Sequence, residues 1–204
     1  MQGARKLAAA EEARAKFASD IHASSSVVPV QLDITDAASI KNAHAFIADY
    51  LKAQNLPGLD VLVNNAGVSG PTFEAIYAVN VFGTVALTEA IRPLLKDGGA
   101  ILNISSTLGS LHAHTQRPPP PIYLPYSSSK SALNSVTLQW AIQEEERKSG
   151  VRVVAICPGF NATALNYYTG TMQPEDGVKV IVEAALAKEG KSGVFFDKDG
   201  EVKW

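Results

Sequence analysis

The sequence has a single cysteine, Cys157, so no disulfide can form within the chain. A reducing compartment, the cytosol, is therefore the expected setting. Neither sign of charge dominates: a net charge of −2 at pH 7 gives no general attraction to nucleic acid or to an anionic membrane. No apolar run stands out at the ~20 residues a membrane helix needs. The opening MQGARKLAAAEEARAKF lacks the apolar core of a secretory signal, and Glu11 and Glu12 argue against a mitochondrial presequence. Internal repeats are absent. What remains, 46% hydrophobic and 19% charged residues over 204 positions, is the composition of one globular domain spanning 1–204 with a real core.

Strong helix formers fill residues 5–18, with Leu7, Ala10, Ala13 and Phe17 on one face. Val27–Leu32 reads as a short strand, in which Pro29 suggests an edge or an irregular start. Thr35 or Asp36 can cap a helix to about residue 54, with Ile40, Ala43, Ile47 and Leu51 as its apolar stripe. Leu59–Val63 is the next apolar strand. A long helix over 73–96 follows, with Pro93 ending or kinking it, and Gly98-Gly99 leads into the strand Ile101–Ile104. A helix from about Tyr126 to Lys148, a strand Val151–Cys157, a helix 175–188 and a strand at Val194–Phe196 complete the chain. Strands alternate with helices, and the strands are apolar on both faces. That pattern predicts an α/β fold in which a parallel sheet is covered by helices on both sides.

One stretch concentrates the chemistry. Ile101–Ile104 delivers Ser105 and Ser106 at a strand end, and Tyr126 opens a helix with Lys130 four residues on, on the same face. Between them, His112 and His114 form a His-x-His pair without a third ligand, which reads as solvated loop histidines, so no metal site is expected. Arg117 to Pro121 is a polyproline segment. It reads as a stiff insertion loop, although its PxxP match also fits a ligand for a PPII-reading domain.

Five separated segments share an order: Asn64-Asn65-Ala66-Gly67 after a strand, Asn80 within Val-Asn-Val-Phe-Gly, Ser106, Tyr126-x-x-x-Lys130 and Pro158-Gly159. With these, the whole chain resembles the short-chain dehydrogenase/reductases, and its tail is most similar to their carbonyl-reductase-like branch. The resemblance implies a doubly wound, Rossmann-like parallel sheet. It implies NADPH-dependent reduction of a ketone, aldehyde or quinone, with NADP(H) favoured over NAD(H). Tyr126 would then be the general acid. Lys130 would lower the tyrosine's pKa and reach the nicotinamide ribose, and Ser106 would hold the substrate oxygen. Asn80 would either hold a relay water or bend its helix structurally. For the cofactor, the resemblance implies Asp33 at the adenine, and the backbone of Asn64, Ala66 and Gly67 against the adenosine and ribose. Ile156, Pro158 and Gly159 would lie at the nicotinamide, and Thr163 at the phosphate or carboxamide end. Arg5 is either a 2′-phosphate ligand, for which its bidentate fork is suited, or a solvated arginine at a helix start.

The family pattern is incomplete here. The first strand, its glycine-rich phosphate turn and most of the second strand are lacking, which suggests an N-terminally truncated reductase. In the doubly wound order 3-2-1-4-5-6 their loss would open a slot in the middle of the parallel sheet and leave backbone groups unpaired. The interval from Ser106 to Tyr126 looks long, and the link after Pro158-Gly159 looks too short for much of a lid. The expected partner is a small carbonyl or alcohol, with no nucleic acid and no membrane. A homo-oligomer is compatible through the helices carrying Asn80 and Tyr126. The alternative from another class is a catalytically inactive homologue acting as an interaction or regulatory protein.

Overall fold

The computed structural model describes residues 1–116 and 123–204; the polyproline segment and its PxxP match lie outside the described residues. Two compact units, 1–57 and 58–204, are taken in turn.

In the first unit, β1 (Gln2–Ala4) pairs in parallel with β2 (Pro29–Gln31), Gly3 opposite Val30. Pro29 lacks a ladder donor and sits in a strand with a single neighbour, as its chemistry requires. Helix α1 (Leu7–Lys16) buries Ala10 alone, while Leu7 and Phe17 are exposed, so the expected four-residue stripe is not a core face. Two strands of three residues are too narrow to cover it. Helix α2 (Ala37–Ala53) follows the sequence closely: the Asp36 carboxylate accepts from the Ala38 N–H at 2.9 Å, and Ile40, Ala43, Ile47 and Leu51 are all buried.

The second unit is built on a sheet of β3 (Leu59–Asn64), β4 (Leu95–Ile104), β5 (Arg152–Ile156), β6 (Val194–Asp197) and β7 (Gly200–Glu201), in that spatial order. The first four strands are parallel and β7 returns antiparallel. Alternation along the strands splits the core in two. Leu102, Ile104, Val154 and Ile156 pack against Val180 and Ala184 of α7 (Pro174–Leu186). Ile101 and Val153 face the other way, onto Trp140 and Ala141 of α6 (Leu124–Arg147). Burial on both faces explains why these strands read as continuous apolar runs. β3 is the outermost strand, and no strand among the described residues pairs with its free side, consistent with the expected lack of a first strand.

Two sequence expectations change here. The long helix over 73–96 is α3 (Phe73–Tyr77), a wide π-helical turn (Ala78–Gly83) and α4 (Thr84–Ile91), with Pro93 in a closing turn. β4 then starts at Leu95, so Gly98-Gly99 lie inside the strand, where the register with β3 shifts. A Cβ at Gly99 would stand 2.9 Å from the Asp60 carbonyl oxygen, which explains the glycine. Phe73–Leu94 is also long and apolar enough to cross a membrane by length and composition, contrary to the reading above. Its Asn80, Thr84, Thr88 and Arg92 are buried inside this unit.

At the base of the sheet, Arg92 and Glu144 form a buried ion pair, and the Ser149 hydroxyl donates to Glu144 at 2.5 Å. Burial pushes the Glu144 carboxyl up, but the Ser149 and Arg92 hydrogen bonds and the Arg92 and Arg147 charges outweigh it and hold the pKa below its usual value. Glu144→Ala leaves the buried Arg92 guanidinium with only the half-exposed Glu89 carboxylate, 3.4 Å away. It is expected to cost about 3–5 kcal/mol in urea unfolding.

Candidate active site

The site forms where β4 and β5 end. The Ser105 N–H donates to the Ile156 carbonyl at 2.7 Å, and its hydroxyl donates to Asn134 at 2.6 Å, locking the strand end to α6. Ser106 follows in extended geometry, and its Oγ accepts from the Leu108 N–H at 3.2 Å, starting a tight turn over Thr107–Gly109. Pro125 stands in the first turn of α6, where a missing N–H costs nothing, and Tyr126 comes next. Lys130 lies one turn deeper, buried, its Nζ donating to the Ile104 carbonyl at 2.7 Å.

Gly109 fixes the distance between these two segments. A Cβ there would stand 2.7 Å from the Lys130 carbonyl carbon and 2.8 Å from Lys130 Cβ. Ser131 and Asn134 both donate to the Gly109 carbonyl oxygen, at 2.9 and 3.2 Å. Gly109→Ala is therefore expected to destabilise by about 1–3 kcal/mol, measured by urea unfolding, because backbone must move to admit the methyl.

Asn80 is fully buried in the π-helical turn. Its Oδ1 accepts from the Val68 N–H at 2.8 Å, and its Nδ2 donates to the Val68 carbonyl and the Ser129 hydroxyl, both at 3.0 Å. The widened turn accompanies a side chain committed to the loop after β3. π-turns of this kind are frequent at functional sites. Gly67 lies in that loop: a Cβ there would be 3.5 Å from Lys130 Nζ and 3.6 Å from Asn80 Oδ1. Gly67, Asn80, Ser106, Tyr126 and Lys130 are thus brought together.

Electrostatics differ from the sequence expectation. Lys130 was to lower the Tyr126 pKa; instead burial pushes the phenol up to about 12, the neighbouring Cys157 adds to the rise, and a hydrogen bond with Ser106 pulls it back. Burial also pushes Lys130 down to about 8, against an upward pull from Cys157. Geometry accounts for the difference. Lys130 Nζ lies over the tyrosine ring, 5.7 Å from its centroid, and points an N–H at Ile104 rather than at the hydroxyl.

Of the remaining expected residues, Asp33 and Arg5 lie in the 1–57 unit. Hydrogen bonds from the Thr35 hydroxyl (2.7 Å) and N–H (2.9 Å) hold Asp33 below its usual pKa, and the Arg5 charge adds to this despite a small opposing effect of burial. Asn64 contributes a side chain, not only backbone. Its Nδ2 donates to Thr88 and to Asn103, each at 2.8 Å, and Asn103 donates to Thr137 at 2.8 Å. This buried ladder ties β3 and β4 to α4 and α6. An asparagine inside the apolar run Leu102-Asn103-Ile104 was its readable signal. Ser129 and Asn134 were missed, having no motif of their own, and Ser105 was placed at the strand end without a role.

Ile156 is buried beside Cys157, and Ala66 stands next to Gly67 in the loop after β3. Pro158 and Gly159 open a segment over 160–173 that is more of a lid than the sequence suggested. Gly159 has φ +85°, and a Cβ there would strike Met172 Sδ at 2.7 Å. The segment closes on itself through a bridge between Asn161 and Met172. Thr163 donates its N–H to Asn166 Oδ1 at 3.2 Å, and Ser69 donates to the Leu165 carbonyl at 2.6 Å, tying the lid to the loop after β3. His112 and His114 lie in α5 (Leu111–Gln116), and no metal-binding cluster occurs among the described residues.

Parallel strands whose carboxyl ends gather a serine, a tyrosine and a lysine, with helices on both faces, define an α/β oxidoreductase of the doubly wound, dinucleotide-binding class. The short chain dehydrogenase model matches residues 1–174, and the chain belongs to that family. It is 32% identical over 192 residues to the short-chain dehydrogenase anuI of Penicillium roqueforti, covering 85% of this chain and 73% of that protein. It is 28% identical to the NADPH-bound carbonyl reductase from chicken fatty liver, with a TM-score of 0.73, covering 95% of this chain and 81% of that one. The Sniffer carbonyl reductase of D. melanogaster shares the fold, with a TM-score of 0.79 at 23% identity, covering 99% of this chain and 86% of that one.

The family's fold binds NAD(P), and the residues here fit one end of such a group. The Lys130 ammonium has three donors and spends one on Ile104, and Gly67, having no side chain, keeps the space beside Lys130 Nζ free of a Cβ. A ribose hydroxyl matches that donor set. For the diphosphate, the sequence holds no glycine-rich turn.

Proposed function

We propose that the chain is an NADPH-dependent reductase of a small ketone, aldehyde or quinone, with Tyr126 as general acid. The observation that carries this reading is the meeting of Ser106, Tyr126 and Lys130 beside the uncovered backbone of Gly67. Lys130, with Tyr126 and Gly67, would hold the nicotinamide ribose. Asn64, Ala66, Pro158, Gly159 and Thr163 would line the remainder. When bound, the dinucleotide supplies the hydride that adds to the carbonyl carbon.

The protein's own part is to position the carbonyl and deliver a proton. Ser106 donates a hydrogen bond to the carbonyl oxygen and fixes it against Tyr126. The phenol, protonated throughout the neutral range, donates its proton to that oxygen as negative charge develops there. The resulting phenolate is the species that the buried Lys130 ammonium stabilises, a charge interaction strengthened by the low local dielectric. Asn80, committed to Val68 and Ser129, holds the loop against which the ribose would rest. The carbonyl gains hydride and proton, and the alcohol leaves.

The test is incubation with NADPH deuterated at C4 and a panel of small carbonyls. Deuterium on the carbinol carbon of the product is the expected result. A folded chain that transfers none to any of them overturns the proposal.

A further inference from the structure

The turn after Ser106 is held from two sides, and the second side is the end of the sequence. On one side, Gly109 is wedged against α6. On the other, the Ser110 hydroxyl donates to the Lys203 carbonyl at 2.6 Å, and the His112 N–H donates to the Trp204 carbonyl at 2.9 Å. Ser110 is 1% exposed and also caps α5, accepting from the Ala113 N–H at 3.0 Å. The tail that supplies these carbonyls is itself anchored. The Val202 N–H donates to the Phe195 carbonyl at 2.7 Å, and the Trp204 ring lies 5.6 Å from that of fully buried Phe195.

We infer that Trp204 is a positioning residue: its ring on Phe195 sets the tail carbonyls that fix the Ser106–Gln116 segment, and with it the placing of the substrate oxygen. The chain of contacts is short. Trp204 stacks on Phe195, its carbonyl and that of Lys203 hold His112 and Ser110, and the Gly109 N–H donates back to the Ser106 carbonyl at 2.8 Å. The chain of contacts reaches Lys130 through Gly109 at its backbone and Cβ, not at Nζ, and does not reach Gly67, so the donors that hold the dinucleotide are left in place. The activity part of the inference rests on the reductase reading; the structural part does not.

The experiment compares wild type, Trp204→Ala and Trp204→Phe by hydrogen–deuterium exchange and by steady-state reduction of a small aryl ketone. In Trp204→Ala, exchange across residues 107–116 is expected to rise about tenfold, the scale of one or two lost hydrogen bonds. KM for the ketone rises several-fold with kcat changed less, NADPH affinity is unchanged, and Trp204→Phe restores both readouts. Should Trp204→Ala fail to fold, Trp204→Leu, which keeps an apolar side chain on Phe195 without the ring, is read in the same way. Unchanged exchange over 107–116, or a loss spread evenly over the sheet, overturns the inference. Raised exchange at that segment in a chain whose wild type reduces nothing upholds the latch and rejects the reductase reading, so the two failures are distinct.

Discussion

Replacing Tyr126 by phenylalanine is expected to lower the rate of carbonyl reduction by about 10²–10⁴-fold, the span that a positioned proton donor contributes. The exchange removes one oxygen and keeps the ring. The Lys130 ammonium over the ring face therefore keeps its neighbour, and the half-buried packing at the start of α6 persists. What disappears is the hydrogen bond with Ser106 and the proton itself. Affinity for NADPH should stay within a few-fold, because Lys130 and Gly67 are untouched. Single-turnover reduction and a cofactor titration separate the two effects. A variant that keeps more than a tenth of the wild-type rate would show that the proton comes from elsewhere.

Lys130→Met is expected to abolish reduction and, at neutral pH, to relieve the fold of a buried charge. Lysine in the unfolded chain holds its proton to about pH 10.5, whereas burial brings folded Lys130 down to about 8. Between those values the unfolded state binds more protons than the folded one, so wild-type stability rises with pH across the window. The cost of the charge is fully present below pH 8 and is gone above about 10.5. Relative to the methionine variant, which has no such group, the wild type should gain on the order of 3 kcal/mol between pH 8 and 10.5. Urea unfolding of both proteins at several pH values measures this. The loss of the hydrogen bond to Ile104 shifts the variant's stability by a constant and leaves the slope unaffected. Parallel stability curves for the two proteins would refute the buried charge. The same titration bears on activity: reduction should fall as pH rises through about 8, when Lys130 gives up the charge that stabilises the phenolate.

Much of the fold was legible because it is set locally or by alternation. Asp36 caps α2 through its own side chain, and the stripe Ile40, Ala43, Ile47, Leu51 is buried as its spacing demanded. The strands around Leu102 and Val154 read as apolar on both faces because helices cover both faces. Elements decided by their surroundings were less legible. The π-helical turn at Asn80 goes with the commitment of a buried amide to Val68 and Ser129, which no helical period encodes. β4 begins at Leu95 because β3 lies alongside it, although Gly98-Gly99 looks like a break. The stripe on α1 failed for want of a sheet wide enough to cover it.

The site divides in the same way. Tyr126 and Lys130 were identified from the ordered motifs that carry the family resemblance, their spacing alone being a weak signal, and the structure does bring them together with Ser106, Asn80 and Gly67. Their electrostatics were misread, because burial of both groups depends on tertiary packing and outweighs a cation placed over the ring. The ladder from Asn64 through Asn103 to Thr137 and the grip of the tail on Ser110 join positions far apart in sequence. Each is composed of common residues without a motif.

The central claim, a functioning dinucleotide reductase site in this chain, is tested most directly by isothermal titration of NADPH into the purified 204-residue protein. Saturable binding at one site is expected, weakened by Gly67→Val, which fills the space beside Lys130, and unchanged by Trp204→Ala. A folded chain that releases no heat with NADPH at any concentration tested would contradict it.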